Sequence, residues 1–461
     1  MTTAAATAAA APATGRTDLA PLSYQQEEML RQLRERPQLA PAYDNVYLFE
    51  LPEAVDPDHV LSAIDGLVQR HPALRTTIAS TATGIAQRVH PRAVEPPGVE
   101  RFEGSPYTAT LVARQLSVQA VCEGRALFRG GVCVAGRTRS MWLALHHLVS
   151  DQWSDTVMWR DLSELYRARL DNRPPLLPEL TTTYAGFAAA QRATWPALRE
   201  RAVPFWQHRL RGPSRIDWVR PGPGPARSTG VAAGEYDCDA VSVVLGPAEL
   251  LAIRTAVRLL RVTPFMVLLA ASALGAADVL GADSLLAGSN AAGRHDRATR
   301  DLIGYFVNTW LTTVDAGRGR SLLDVVHDVR DCWVAADEFR AAYTDQVLAA
   351  LDRPDVVKVD LYGVPPLPGP TGEKFSSAGP TLSGVPLAPV PIPELTHQYW
   401  RDLNLLWVRD GGSYRLNVMY RLNRVDRSTA AAVAAAVVAA LRVPTDREGS
   451  AASAGPGERT P

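Results

Sequence analysis

The sequence predicts an α/β protein of α+β two-layer lobes, two of similar size, joined near residue 180. Three observations support this. Helical and strand periodicities alternate along most of the chain. A Pro-rich break, Arg173-Pro174-Pro175 through Pro178, divides it. Beyond that break a second apolar region follows the Pro- and Gly-rich loop Gly212 to Gly234.

Each element has a local cause. Asp56-Pro57 supplies an N-cap and a proline at the first helical position, after which Val60, Leu61, Ile64, Leu67 and Val68 share one helical face. Met141 to Leu148 is a nearly continuous apolar run, as in a strand covered on both sides. Ser154 to Leu170 returns to helical spacing through Met158, Leu162, Leu165 and Tyr166. The second region opens with helices over Pro247–Leu260 and Pro264–Leu280. Strands over Leu285–Ser289, Phe306–Val314 and Ser413–Leu422 follow, and then an Ala/Val-rich helix over Thr429–Leu441. Val364 to Pro393 is so rich in proline that an irregular excursion is expected. The predicted division is a disordered Ala/Thr-rich tail over 1–17, a first lobe over 18–173, a linker over 174–183, a second lobe over 184–443 and a disordered tail over 444–461.

Lys and Arg total 48 against 48 Asp and Glu. That balance argues against sequence-independent nucleic-acid binding, which needs excess cation. Cys122, Cys133, Cys238 and Cys332 form no CxxC pair, so neither a metal framework nor a disulfide framework is predicted and a reducing cytoplasm is expected. The apolar run Val262 to Ala277 is too short to span a bilayer and reads as a buried helix, so no membrane span is expected.

Leu145-His146-His147-Leu148-Val149-Ser150-Asp151-Gln152-Trp153-Ser154 is the most informative segment. Strand alternation sends the two imidazoles to opposite faces, and a neutral histidine in partly desolvated surroundings can accept a proton near neutral pH. The same residues also fit a plainer role, with both histidines satisfied in a core and Asp151 as the N-cap of the next helix. Adjacent strand histidines cannot chelate one ion from one face, so no metal is expected. His90, His208, His295, His327 and His397 stand singly, and the run Arg294-His295-Asp296-Arg297 reads as a solvated turn. Asp410-Gly411-Gly412 reads as a hairpin turn.

Several blocks in order carry a resemblance. They are Leu22-Ser23-Tyr24-Gln25-Gln26, Arg70-His71-Pro72-Ala73-Leu74-Arg75-Thr76, the His-His segment with Asp161-Leu162, Tyr184-Ala185-Gly186-Phe187 with Gln191-Arg192, and Ile303-Gly304-Tyr305-Phe306-Val307-Asn308-Thr309. Together they resemble the condensation domains of non-ribosomal peptide synthetases, in the chloramphenicol acetyltransferase-like superfamily. The resemblance implies two acetyltransferase-like lobes in a V-shaped pseudo-dimer with a central tunnel.

It further implies that His147 is the catalytic histidine, with His146 as its structural neighbour. Asp151 would orient the loop through an ion pair with Arg70, and Asn308 would help line the channel. No bound cofactor is implied; substrates would arrive on the phosphopantetheine arm of a peptidyl or acyl carrier protein. The expected activity is that of a free-standing condensation enzyme acting in trans on an amine or hydroxyl acceptor. A coenzyme A-dependent acyltransferase, a non-catalytic recruitment module and an epimerase-type relative are the rivals. Two departures stand out: Gln152 replaces the motif glycine, which would strain a left-handed backbone, and the block around Tyr343-Thr344-Asp345-Gln346 is degraded.

Overall fold

The computed structural model describes residues 18–102, 124–210, 234, 236–317, 319–351, 361–364, 380–390, 402–410 and 412–442. Both predicted tails, and most of the predicted Pro-rich excursion, lie outside these residues.

The first half begins with β1 (Asp18–Pro21) and α1 (Tyr24–Glu35). A reciprocal capping box starts α1: Ser23 Oγ accepts from Gln26 N–H while Gln26 Oε1 accepts from Ser23 N–H, both at 3.1 Å. Next come β2 (Asp44–Glu50), α2 (Pro57–Arg70), β3 (Thr76–Thr81), β4 (Gly84–Val89) and β5 (Gly98–Phe102). Asp56 caps α2 by accepting from Asp58 N–H at 2.8 Å, and Val60, Ile64, Leu67 and Val68 are buried on its inner face. The pair β6 (Phe128–Ala135) and β7 (Thr138–His146) then leads into α3 (Gln152–Leu170). Met141 to Leu145 are all buried, because β7 is central in its sheet with β2 and β6 on either side.

The second half starts with α4 (Tyr184–Arg209) and β8 (Cys238–Val244), followed by α5 (Pro247–Leu260), α6 (Pro264–Leu280) and β9 (Ser284–Ala291). Beyond lie β10 (Asn308–Asp315), α7 (Leu322–Ala336), α8 (Thr344–Ala350) and β11 (Leu361–Val364). Short strands β12 (Thr381–Leu382), β13 (Val385–Pro386) and β14 (Ala388–Pro389) precede β15 (Leu403–Asp410), β16 (Ser413–Arg421) and α9 (Arg427–Arg442). The main sheet here runs β10-β9-β11-β15-β16-β8, and that of the first half runs β14-β2-β7-β6-β5. Each half thus builds its own sheet and core, and neither sheet closes into a barrel.

The irregular excursion expected over 364–393 needs correction where it is described. Residues 381–386 form a two-stranded hairpin, and β14 crosses to the first half to pair with Phe49 and Glu50. Leu382 and Leu387 are wholly buried in the first half's core, which supplies the free energy that orders a proline-rich segment. Proline is tolerated in β14 because that strand is at a sheet edge. Tyr184, Leu302, Ile303 and Phe306 also join that core, so the halves share an apolar seam.

α6 is buried on nearly every side, as its unbroken apolar run predicts. Its one interior hydroxyl, Ser272, accepts from Trp407 Nε1–H at 3.0 Å. Among the described residues no single helix is long and apolar enough to cross a membrane; α5 and α6 together pass that test by composition but are bent by 116°. Gly275 lets α6 and α9 touch, since a Cβ there would lie 2.4 Å from Val437 N. Gly275→Ala is therefore expected to destabilise the fold by about 1–3 kcal/mol, read as a lower denaturant midpoint. An unchanged midpoint would show that α9 can move away freely.

Candidate active site

The site begins where β7 ends. His146 is the last residue of the strand, opposite Asp44 of β2. Its Nδ1 accepts from Leu148 N–H at 3.0 Å, which turns the chain into one 3-10 turn over His147–Val149. This turn, rather than strand alternation alone, separates the rings: His146 is fully buried and His147 is partly exposed.

The two rings differ in chemistry as well as in position. His147 Nδ1 lies 3.1 Å from the Ser150 carbonyl oxygen. A carbonyl can only accept, so Nδ1 carries the proton and the lone pair of the neutral ring resides on Nε2. Tyr43 from the first half and Tyr305 from the second flank the ring, each with its centroid 6.2 Å away. His146 is held neutral: burial, with a smaller push from His147, lowers its pKa to about 3. Its buried Nε2 has no hydrogen-bond partner among the described residues, a deficit of about 1–3 kcal/mol.

That shift has a sign. The unfolded chain protonates His146 near its ordinary value of 6.5, whereas the native state resists until about 3. Between these values the unfolded state binds more protons, so stability falls as pH drops through the window. His71 is lowered too, because burial outweighs its bond to Asp161, and it acts in the same direction. Between pH 6.5 and 5 the loss from His146 should approach about 1.4 kcal/mol per pH unit. Denaturant unfolding of His146→Asn across this range should give a shallower slope; an identical slope would mean His146 is not kept neutral.

Asp151 is the centre of a latch between the halves. It caps α3 through Ser154 N–H at 2.8 Å, as its position predicts, and it also takes the Ser154 hydroxyl at 2.8 Å. Its other oxygen accepts from Phe306 N–H at 3.0 Å. The ion-pair partner expected for it was Arg70; the structure gives it Arg294, at 2.9 Å, with both side chains 1% exposed. Arg70 instead bonds Asp161 at 2.8 Å and the Pro178 carbonyl at 2.5 Å, so it fastens α2 to α3 and to the chain leading into α4. His71 meets the same Asp161 oxygen at 2.9 Å. Sequence distance hid the true partner, because Arg294 sits 143 residues beyond Asp151.

The charged run Arg294–Arg297 is likewise no simple solvated turn. Arg294 is buried and donates to the carbonyls of Thr299 (2.6 Å) and Leu302 (2.7 Å), with its guanidinium 4.0 Å from the Phe306 ring centroid. Burial lowers its pKa, opposed by Asp151. Gly293 makes the approach possible: its φ is +66°, and a Cβ would lie 1.9 Å from the Phe306 carbonyl oxygen. Ser154 Oγ, whose one proton goes to Asp151, accepts from Gly304 N–H (3.0 Å), and Trp153 Nε1–H reaches the Arg300 carbonyl (2.9 Å).

Two further expectations meet the structure here. Asn308, expected to line a channel, is buried and uses its amide on backbone groups, donating to Ala342 O at 2.7 Å and accepting from Thr344 N–H at 3.1 Å. Gln152 begins α3 and is absent from the positive-φ positions, so no backbone strain attaches to it. The opening block underpins the site: Gln26 Nε2–H donates to Leu148 O at 2.9 Å, and Ser23 Oγ shares a 2.7 Å hydrogen bond with Tyr184 OH. Among the described residues no group of three or more His, Cys, Asp or Glu converges as metal ligands would.

The condensation-domain family profile matches residues 16–352, which is most of the chain. The chain is a condensation domain. Over 339 residues it is 32% identical to the phosphinothricin tripeptide synthetase PhsB of Streptomyces viridochromogenes, covering 71% of this chain and 28% of that protein. The domain spans between 4% and 28% of the length of the first curated relatives it matches. Of the solved structures that share its fold, two serve as comparison. One is holo-AB3403, a four-domain nonribosomal peptide synthetase bound to AMP and glycine, with a TM-score of 0.74 at 17% identity over 94% of this chain and 33% of that one. The other is the X-domain from teicoplanin biosynthesis, with a TM-score of 0.72 at 19% identity over 93% of this chain and 96% of that one. The condensation domain therefore has the paired lobes of its family and belongs to the nonribosomal peptide synthetase lineage.

Proposed function

We propose that this condensation domain joins an acyl or aminoacyl thioester, presented on the phosphopantetheine arm of a carrier protein, to an amine or hydroxyl acceptor. The observation that carries this reading is the His147 ring, partly exposed between Tyr43 and Tyr305 of the two halves and fixed through Nδ1 on Ser150 O. The acceptor nitrogen or oxygen attacks the thioester carbonyl, forming a C–N or C–O bond and a tetrahedral oxyanion. Nε2 of His147 takes the proton the nucleophile sheds. The intermediate collapses with cleavage of the C–S bond, and the departing thiolate recovers a proton. Such a positioned base supplies about 10²–10⁴ in rate, and more of it is needed for a hydroxyl than for an already nucleophilic neutral amine. The Asp151–Arg294 latch supports the reading by fixing Tyr305 and the turn after β7 in one frame.

The decisive assay is mass spectrometry of a loaded carrier mixed with candidate nucleophiles. The expected result is an amide or ester that appears only when the domain and an acceptor are both present. Faster turnover from the matching acyl-coenzyme A would instead make the domain a coenzyme A-dependent acyltransferase. Racemisation of a single aminoacyl carrier without any acceptor would indicate epimerisation. Carrier binding with no product from any donor would leave a recruitment role.

A further inference from the structure

α5 shows a face that its own fold leaves uncovered. Ile253 and Ala256 point into the core of the second half. On the opposite side Leu251, Arg254, Arg258 and Leu259 recur at helical spacing and are exposed, with Arg261 at the helix end; the two leucines are 59% and 60% exposed. Beside this stripe lies a cavity of about 150 Å³, with Ile253, Val257 and Pro264 as its apolar floor and Arg254, Arg409 and Ser413 among its walls.

The clustering of arginines around an apolar hollow marks this surface. The chain is neutral overall, and many of its arginines, such as Arg160, Arg173, Arg192 and Arg424, sit against carboxylates. Arg254, Arg258, Arg261 and Arg409 pair with no acidic side chain among the described residues. Glu249 of the same helix is turned inward and is engaged by Arg442. Four uncompensated cations around an apolar hollow complement an anionic surface with a projecting apolar side chain.

Register places this surface on the side of the site. β11 runs parallel to both β9 and β15, aligning Gly288, Tyr362 and Asn404. The Arg409–Ser413 end of the β15–β16 pair therefore lies at the same end of the sheet as Ala291, from which the chain continues to Arg294. β9 and β15 are two strands apart, about 10 Å across the sheet. A lipid surface fits less well. The apolar side of α5 is already buried in protein, which leaves only the two leucines to insert.

We propose that the outer face of α5 and the adjoining cavity form a docking surface for the acidic helical face of a carrier domain, one apolar side chain of which enters the cavity. This rests on the carrier-dependent reading given above, and it is tested by binding rather than by turnover, so the two can fail separately. The full chain is titrated into a fluorophore-labelled holo carrier domain from the producing organism, at low and high salt. The expected Kd rises about ten-fold or more in R254E/R258E and rises less in the neutral variant R254Q/R409Q, with an unchanged unfolding temperature and a flatter salt dependence. Equal binding by R254E/R258E and the unsubstituted chain overturns the proposal, as does absence of binding by the unsubstituted chain. Loss of binding to phosphatidylserine vesicles, or of a self-associated dimer, while carrier binding is unaffected also overturns it. Product formation by the unsubstituted chain in the mass-spectrometric assay judges the catalytic reading independently.

Discussion

His147→Ala is expected to lower product formation by about two to four orders of magnitude while leaving the fold intact. The ring is partly exposed and bonds the Ser150 carbonyl, an interaction whose loss is expected to cost about 1 kcal/mol of stability. His146 cannot replace it. That ring is fully buried, its Nδ1 is committed to Leu148 N–H, and a pKa of about 3 makes it a very poor proton acceptor. The size of the loss also reports on the acceptor: a fall near the lower bound fits an amine and one near the upper bound a hydroxyl. The measurement is single-turnover transfer from a loaded carrier, with the thermal midpoint as control. Turnover within a few-fold of the unsubstituted domain would remove proton transfer from the role of His147.

The second large effect concerns the latch. Arg294→Met leaves the Asp151 carboxylate buried without its cation, a change expected to destabilise the domain by about 3–5 kcal/mol. Against a typical total of about 5–15 kcal/mol that is a large fraction. The double variant Asp151→Asn/Arg294→Met should regain part of the loss, since no unpaired charge remains. Arg70→Met should be milder, because Asp161 keeps His71 and Arg160 as partners. Denaturant unfolding of all four proteins forms the test. An Arg294→Met change below about 1 kcal/mol would mean that Asp151 is satisfied by Ser154 and Phe306 alone. Because Tyr305 lies beside Phe306 and against His147, transfer activity should fall with the latch as well.

How much of this was legible beforehand depends on the range of the interaction. Local signals were readable: Asp56-Pro57 does start α2, Ser23 and Gln26 do cap α1, and the apolar run ending at His146 is a strand covered on both sides. The capping role of Asp151 was also open to view, since an acidic residue three positions before Ser154 is a local pattern. Its ionic partner was not. Arg70 and Arg294 are both arginines near family blocks, and nothing in the chain's linear order distinguishes which one folds onto Asp151. The signal that could have helped was Gly293 beside Arg294, a glycine next to a lone buried-type charge in a tight turn. The segment 381–389 was misread because proline content is a local cue, whereas the burial of Leu382 and Leu387 depends on a sheet built from residues far upstream.

By itself the sequence determined the α/β class, the division into two halves, the family and the histidine pair on which the chemistry centres. Periodicity, capping and motif order are properties of neighbouring residues and survive in one dimension. Only the tertiary structure decided that His146 is sealed while His147 stands at the seam, that Arg294 and not Arg70 neutralises Asp151, and that four arginines around α5 are left without carboxylates. Burial and charge pairing are set by which surfaces meet, and in this fold the meeting surfaces are more than a hundred residues apart along the chain.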